Sequence, residues 1–438
     1  MIHIICPANV ATGGPELLHQ LGYKLNLLGF QAKMMYLNAS PNADPACEPY
    51  KKYNVPWSIR LTPAPDDFII VPELCIPLLP QLHAYKCAVW WLSVNNAIYD
   101  DPLITYMQNQ ENLFHFAQSY YAINHLKNNL HIASEKIYHL SDYLNSEFFL
   151  HEPGSDSTGR ENIVLFNPKK GFKNTSELIS RSDYRIKWQA LSGLTPFGMR
   201  ETLKKAKIYI DFGAHPGKDR IPREAAMCGC CVLTNRQGAA AYREDVPLPE
   251  TYKFSEQDSD SYILSHIYKL LEEYDTRKND YADYISGIKR EYMVFEKEIL
   301  DIFTQICDYP YPCNESPEYY QDLMLSSIEK GDYKDAYTAL LLYRKNLYEE
   351  SVDLDIIETI IRTEIGEYAE AKISVERGLA KDPHNYELSL YAAQLHLLLG
   401  NHQISKQYCE DATLYSRGTA DEAQIKISCD EILNQINA

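Results

Sequence analysis

The sequence lacks an apolar run long enough to cross a membrane. Its most apolar stretch, Phe68 to Leu82, is broken by three prolines and by Glu73, well short of the roughly 20 uninterrupted residues a spanning helix needs. No basic segment precedes the strand-like run Ile2 to Cys6, so neither secretion nor membrane spanning is expected. The expectation is a cytoplasmic protein, at most peripheral to the inner membrane. Positive charge is scarce: 42 Lys and Arg against 60 Asp and Glu leave a net charge of −18. Without a basic stripe such a chain repels nucleic-acid phosphates. Eleven cysteines include the cluster Cys228, Cys230 and Cys231, but no neighbouring histidine or second pair supplies zinc spacing. A chain of this length is also no disulfide scaffold, so reduced, buried thiols are expected.

Two nucleotide motifs are missing as well. The dinucleotide pattern G-x-G-x-x-G is absent after the first strand, and no ribose-binding acid follows the second, which argues against a dinucleotide-dependent oxidoreductase or epimerase. Gly217 with Lys218 suggests a Walker loop, yet three residues separate the glycines where four are needed. Asp219 stands where that motif requires Ser or Thr, so an ATPase is excluded.

What is present is a globular composition, 45% apolar and 23% charged, in 438 residues, too many for one hydrophobic core. Ile2 to Cys6 reads as a strand, and leucines at 17, 18, 21, 25 and 28 recur at helical spacing until Gly29. Further strands are expected at Gln31 to Tyr36, Phe68 to Val71, Ala88 to Leu92 and Phe114 to Ala117. This alternation implies parallel pairing through crossover helices. The polar, turn-rich stretch Glu152 to Glu161 suits a linker. The rhythm then restarts with strands at Ile163 to Phe166, Arg185 to Trp188, Ile208 to Phe212 and Cys231 to Thr234. The expected organisation is α/β: a Rossmann-like domain over 1–150, a second over 151–307, and a helical region over 318–438.

That last region repeats on itself. Gly331, Gly366 and Gly400 recur every 34 to 35 residues within EKGDYKDA, EIGEYAEA and LLGNHQIS, the period of tetratricopeptide repeats. The glycine and the small residue after it are expected to let paired helices turn and pack closely. From Pro312 onward 11 basic residues face 23 acidic ones, so most of the excess charge lies here. A concave acidic surface would suit a basic protein partner; self-association, or bracing of the second domain, is the other expectation.

Chemistry concentrates at two helix starts. Gly13 and Gly14 precede Pro15, a residue favoured in the first helical turn, so free backbone amides face one pocket and suit an anion. In IDFGAHPGKDRIPREAAMCGCCVLT, Lys218, Arg220 and Arg223 surround the start of a helix that carries Pro222, an arrangement suited to phosphate. Glu224 in its first turn either serves the helix dipole or accepts hydrogen bonds from ribose hydroxyls. His215 in the loop is a candidate partner for a donor sugar or phosphate. Trp90 and Trp91 line a cleft or pack in the core; Asn95 and Asn96 bind hydroxyls or form a turn. Asp66, Asp67, Asp100 and Asp101 read as turn residues.

The strand ending in Phe212–Gly213, the short loop after it and EAAMCGCCVLT resemble the nucleotide-sugar signature of group-1 glycosyltransferases with the GT-B fold. GGPE, WWLSVNN, AQSYYA and NPKKG strengthen a likeness to members found among bacterial capsule and O-antigen enzymes, over roughly residues 1 to 300. The resemblance implies a GT-B architecture carrying, here, a helical extension. It implies transfer of a hexose-like sugar from a nucleoside-diphosphate donor to a carbohydrate or lipid-linked acceptor in surface polysaccharide synthesis. Gly13 and Gly14 would approach the donor phosphates, Glu224 would hold the ribose, and basic residues among Lys169, Lys170, Lys218, Arg220 and Arg223 would clamp the diphosphate. His215 and Glu224 are the candidate catalytic residues, and no metal or other cofactor is expected. Many retaining members carry two glutamates separated by seven residues, but Pro216 occupies the first position here. That leaves the stereochemistry open and keeps a second expectation alive, a catalytically inactive protein of this fold that recruits partners through its repeats.

Overall fold

Strands that read as near-continuous apolar runs are buried on both faces, as parallel sheets flanked by crossover helices require. The computed structural model describes residues 1–145, 148–149, 159–312, 315–347 and 350–437. Most of the expected linker, residues 152–158, lies outside them. The first sheet has seven parallel strands: β1 (Ile2–Pro7), β2 (Ala32–Leu37), β3 (Trp57–Ser58), β4 (Phe68–Pro72), β5 (Lys86–Trp91), β6 (Leu113–Ala117) and β7 (Ile137–His139), in the order β3-β2-β1-β4-β5-β6-β7. The second has five: β8 (Glu161–Phe166), β9 (Lys187–Ala190), β10 (Ala206–Asp211), β11 (Cys231–Asn235) and β12 (Lys253–Phe254), in the order β12-β11-β10-β8-β9. Helices α1 (Gly13–Leu27), α2 (Asp101–Asn109) and α3 (Tyr120–Asn128) accompany the first sheet. α4 (Phe172–Arg181), α5 (Pro196–Lys205), α6 (Arg220–Met227), α7 (Asp260–Glu272) and α8 (Tyr274–Arg277) accompany the second.

The strands missing from the sequence reading are β3, β7 and β12, two or three residues each, too short to carry a periodicity. Strand β9 begins two residues later than expected. The apolar stretch after β4 becomes a 3₁₀ helix, Glu73–Leu82, whose Pro77 and Pro80 fit its irregular hydrogen bonding. The ten described cysteines are all free thiols, eight of them buried. Among the described residues no helix is long and apolar enough to cross a membrane.

Helix α9 (Ala282–Ile306) follows the second sheet in sequence, yet its later residues pack on the first. Phe303 contacts Phe30, Phe68 and Phe116, while Phe295 stacks on Trp90. The boundary drawn from sequence assigned this helix wholly to the second domain. Local pattern shows that a helix has an apolar face, not which sheet covers it. Lys24 of α1 and Glu296 of α9 meet at 2.7 Å with both side chains fully buried.

The chain divides into two compact units, Met1–Asn26 with Phe30–Asp308, and Leu27–Gly29 with Tyr309–Ala438. The second is all helical: α10 (Pro317–Lys330), α11 (Tyr333–Lys345), α12 (Val352–Glu364), α13 (Tyr368–Lys381), α14 (Tyr386–Leu398), α15 (His402–Tyr415) and α16 (Glu422–Asn437). Gly331, Gly366 and Gly400 close the first helix of three successive pairs with φ of +76°, +85° and +73°, a left-handed backbone that favours glycine. A side chain at any of them would meet no neighbour, so their role is conformational and not the close packing expected. Close packing falls to Ala336, Ala371 and Ser405, each five residues after its glycine and fully buried. Inside α12 and α13, Arg362 bonds Glu358 at 2.6 Å and also Glu367, and Arg377 reaches Asp355 and Glu358 at 2.6 Å.

Removing one partner of a buried ion pair costs about 3–5 kcal/mol. Chemical denaturation of Glu296→Ala is therefore expected to show a loss of that order. A loss below about 1 kcal/mol would show that the Lys24 pair does not hold α9 on the first sheet.

Candidate functional site

Parallel sheets end in loops that gather at the carboxyl edge, and crevices there are where such folds bind ligands. A cavity of about 550 Å³ lies at the carboxyl ends of both sheets. Pro7 after β1, Pro72 and Glu73 after β4, Leu92 and Ser93 after β5, and Gln118 after β6 line it from the first sheet. Asn167 after β8 and Asp211 of β10 line it from the second. Gly13 and Gly14 in the first turn of α1, Arg220 and Ile221 in the first turn of α6, and Glu224 one step beyond that turn complete it; α6 starts at Arg220, so Glu224 lies past the first turn in which the sequence placed it. Two helix N-termini, with their unpaired amides and positive dipole ends, thus open on one space. Tyr50 donates to the Thr12 carbonyl at 2.7 Å and anchors the glycine loop.

Arg220 spans this cavity. Its guanidinium donates to Glu16 of α1 and, at 3.0 Å, to Glu224 of its own helix. These bonds use two of its five N–H donors, so it retains donors for a ligand. Burial raises the Glu224 carboxyl above its usual range, opposed by the Arg220 charge. Glu16 also accepts from Asn145 at 2.7 Å and Tyr53 at 3.2 Å.

Arg223 is placed otherwise. It donates to Asp142 at 3.1 and 2.6 Å, to Glu291 at 2.7 Å, to the Lys218 carbonyl at 3.1 Å and to the Asp219 carbonyl at 3.3 Å. Those bonds occupy all five donors of a side chain only 2% exposed, so the expected diphosphate clamp is not available at Arg223. Lys218 lines the cavity, but its ammonium sits 3.1 Å from Glu291 and 3.5 Å from Asp142. Of the two NPKKG lysines, only Lys170 lines the cavity, paired there with Asp219; Lys169 is exposed and lies outside it.

His215 is not at the cavity surface either. It is 1% exposed; its Nε2 faces the Asp211 carbonyl at 3.1 Å and its Nδ1 faces Asp219 at 3.0 Å. Both ring nitrogens are committed, so the expected contact with a donor sugar or phosphate is not made by this side chain. Burial opposes protonation, but Asp219 and Asp211 together raise its pKa above 6.5. Asp211, His215 and Asp219 offer ligand atoms within 4.8 Å of one another, a geometry that could hold a cation. Lys170 already balances part of that charge.

The two sheets are latched beside the cavity. Val94 donates to the Pro216 carbonyl at 2.9 Å, and Gln118 accepts from the Lys218 amide at 2.9 Å. Gly217 is what permits this: a Cβ there would sit 2.3 Å from the Leu92 carbonyl oxygen. Asp245 reinforces the contact by capping the start of α3, accepting from Tyr120 at 2.8 Å and Tyr121 at 3.0 Å.

Trp90 and Trp91 are fully buried, so they belong to the core. Asn96 does line the cavity, and Asn95 is exposed and outside it. Asp100 caps α2, and Asp67 accepts from the chain's N-terminus and pairs with His3, as turn residues do. Sequence reading overlooked Glu16, Gln118, Asp142 and Glu291. Glu16 was within reach, since it ends the GGPE motif, whereas the others become partners only through contacts across the chain. Glu73 was overlooked too. It is 2% exposed at the cavity wall, and burial raises its carboxyl to about 7 against the pull of backbone amides at 73, 92 and 93.

No family model and no curated protein matches this sequence. Solved structures do. A sucrose-phosphate synthase from Thermosynechococcus elongatus superimposes with a TM-score of 0.53 at 13% identity, over 70% of this chain and 98% of the other. The Anabaena HepE protein, solved in complex with UDP-glucose, gives 0.50 at 11% identity over 69% and 99%. The fold is GT-B. At these identities the likeness is one of architecture: two Rossmann-like domains with an all-helical extension beyond them in this chain.

Replacing Arg223 separates a clamp from a strut. Arg223→Ala is expected to cost about 3–5 kcal/mol of stability in denaturant titrations, because Asp142 and Glu291 are left with an unbalanced buried charge. A variant that kept its stability and lost only nucleotide affinity would contradict this assignment.

Proposed function

We propose that the protein is a glycosyltransferase moving a hexose-like sugar from a nucleoside-diphosphate donor to a carbohydrate or lipid-linked acceptor, in bacterial surface polysaccharide synthesis. The observation that carries this reading is the convergence on one cavity of the α1 glycine amides, Arg220 and Glu224. The α1 N-terminus and Arg220 suit a diphosphate, whose charge grows as the glycosidic bond breaks. Glu224 suits the ribose hydroxyls, accepting through the oxygen not bound by Arg220. Lys170 and the Gly13–Gly14 amides supply further positive potential, so the reading calls for no metal. The fold it shares with a UDP-glucose complex supports a nucleotide-sugar donor. The 34 to 35 residue helix pairs support a tetratricopeptide-type array that engages a protein partner or a second copy.

The test begins with thermal shifts across UDP-, GDP-, ADP- and dTDP-linked hexoses, since a ligand that binds only the folded state stabilises it. Release of nucleoside diphosphate, with water as acceptor, then reads turnover. The preferred donor is expected to bind Glu224→Ala about 10- to 100-fold more weakly, matching the loss of a charged hydrogen bond worth about 1.5–3 kcal/mol. Turnover is expected to survive EDTA. Donor affinity unchanged in Glu224→Ala would overturn the ribose assignment. Activity that dies with EDTA and returns with Mg²⁺ would overturn the metal-free one. Tight donor binding without turnover would instead favour a non-catalytic scaffold.

A further inference from the structure

Glu73 is the one charged residue in the apolar stretch from Phe68 to Leu82, and a carboxyl buried in such surroundings needs a reason. It follows β4 directly and lines the wall that the first sheet contributes to the cavity. The other acidic side chains of that cavity are engaged. Glu224 is held by Arg220, Asp219 by Lys170, and Asp211 accepts from the Tyr209 hydroxyl at 2.9 Å and the Gly213 amide at 3.1 Å. Glu16, just outside the lining, is also held by Arg220. Glu73 accepts from the Leu92 amide at 3.2 Å, and among the described residues no cation pairs with it. Backbone amides orient it and favour its charged form, and burial outweighs them.

Resting on the reading above, we propose that Glu73 is the general base that takes the proton of the acceptor hydroxyl, and that transfer consequently inverts the anomeric centre. The acceptor O–H bond breaks and its proton passes to the Glu73 carboxylate. The acceptor oxygen forms a bond to the anomeric carbon as the bond from that carbon to the diphosphate oxygen breaks. The nucleoside diphosphate leaves with the bonding electrons, its charge met by Arg220 and Lys170. Glu73 stands on the wall that the first sheet contributes, whereas Arg220 and Glu224 stand on α6 of the second, so donor and acceptor sides of the cavity are supplied by different sheets. The second sheet offers no carboxylate at the position eight before Glu224, since Pro216 lies there with its carbonyl bonded to Val94. Burial holds the Glu73 carboxyl near neutrality, where a base is most effective. The titratable group facing it is the Cys75 thiol, itself pushed up to about 11 by burial and by Glu73. It stays neutral over the working range, and no charged side chain of β5, α2 or the 92–96 loop perturbs the pair.

With the donor selected in the panel above, Glu73→Gln is expected to bind it with unchanged affinity. Release of nucleoside diphosphate should fall about 100-fold or more, the usual range for losing general-base catalysis. The wild-type rate is expected to rise with pH through about 7, as the carboxylate forms, and the variant's profile to be flat there. Glu73→Asp should restore part of the rate. The anomeric configuration of the first sugar released by the wild type, read by NMR before mutarotation, is expected to be inverted and needs no variant. Retained configuration overturns the proposal, as does a Glu73→Gln rate within threefold of wild type with the same pH limb. If Glu73→Gln fails to fold, the configuration measurement decides alone. If the wild type binds no donor at all, the glycosyltransfer reading fails first and this proposal with it.

Discussion

The buried bond between Arg223 and Asp142 is the constraint on which the cavity depends. Arg223 belongs to α6 in the second half of the α/β unit, Asp142 follows β7 of the first sheet, and Glu291 of α9 closes the trio. Two charges taken out of water so completely are stable only as a pair with every donor and acceptor matched. The guanidinium meets that demand, with five bonds from five donors. The helix that carries Arg223 also carries Arg220, about one turn earlier, and Glu224, the next residue. Fixing α6 against the first sheet therefore fixes the distance between Glu224 and the α1 glycine loop.

Around that strut the cavity is balanced electrostatically. Arg220 sits between two carboxylates, Glu16 and Glu224, one from each half. Lys170 answers Asp219, and Lys218 answers Glu291 and Asp142. On the proposed reading, a diphosphate entering such a site meets cations already oriented by their partners, which limits the reorganisation that transfer would need. The Gly217 loop touching Leu92 draws the walls together at the rim.

Much of the architecture was legible because it is written in local pattern. Apolar runs bounded by glycine and proline marked the longer strands, and the spacing of Gly331, Gly366 and Gly400 marked the helix pairs. The short edge strands, and the return of α9 to the first sheet, depend on partners distant in sequence and leave no such trace. The site was legible in part. The motif around Arg220 and Glu224 was recognisable from residue types and their order, but a cluster of cations does not reveal which of them faces a ligand. Arg223 and Lys218 look equivalent to Arg220 in sequence and differ only in the carboxylates that reach them from residues 142 and 291. His215 was misread for the same reason: a loop histidine is ordinarily solvated, and only the fold shows both its nitrogens in use. Glu73 carried a signal that was put to another use. It counted against a membrane span, and its place at the cavity wall shows only in the fold.

The central claim is that a nucleoside diphosphate occupies the cavity between α1 and α6. The most direct measurement is a crystal structure of the protein soaked with UDP, or with whichever nucleoside diphosphate the thermal panel selects. The account predicts diphosphate density against the Gly13 and Gly14 amides and Arg220, with the ribose at Glu224. A nucleotide bound elsewhere, or a cavity that stays free of nucleotide at millimolar concentration, would contradict it.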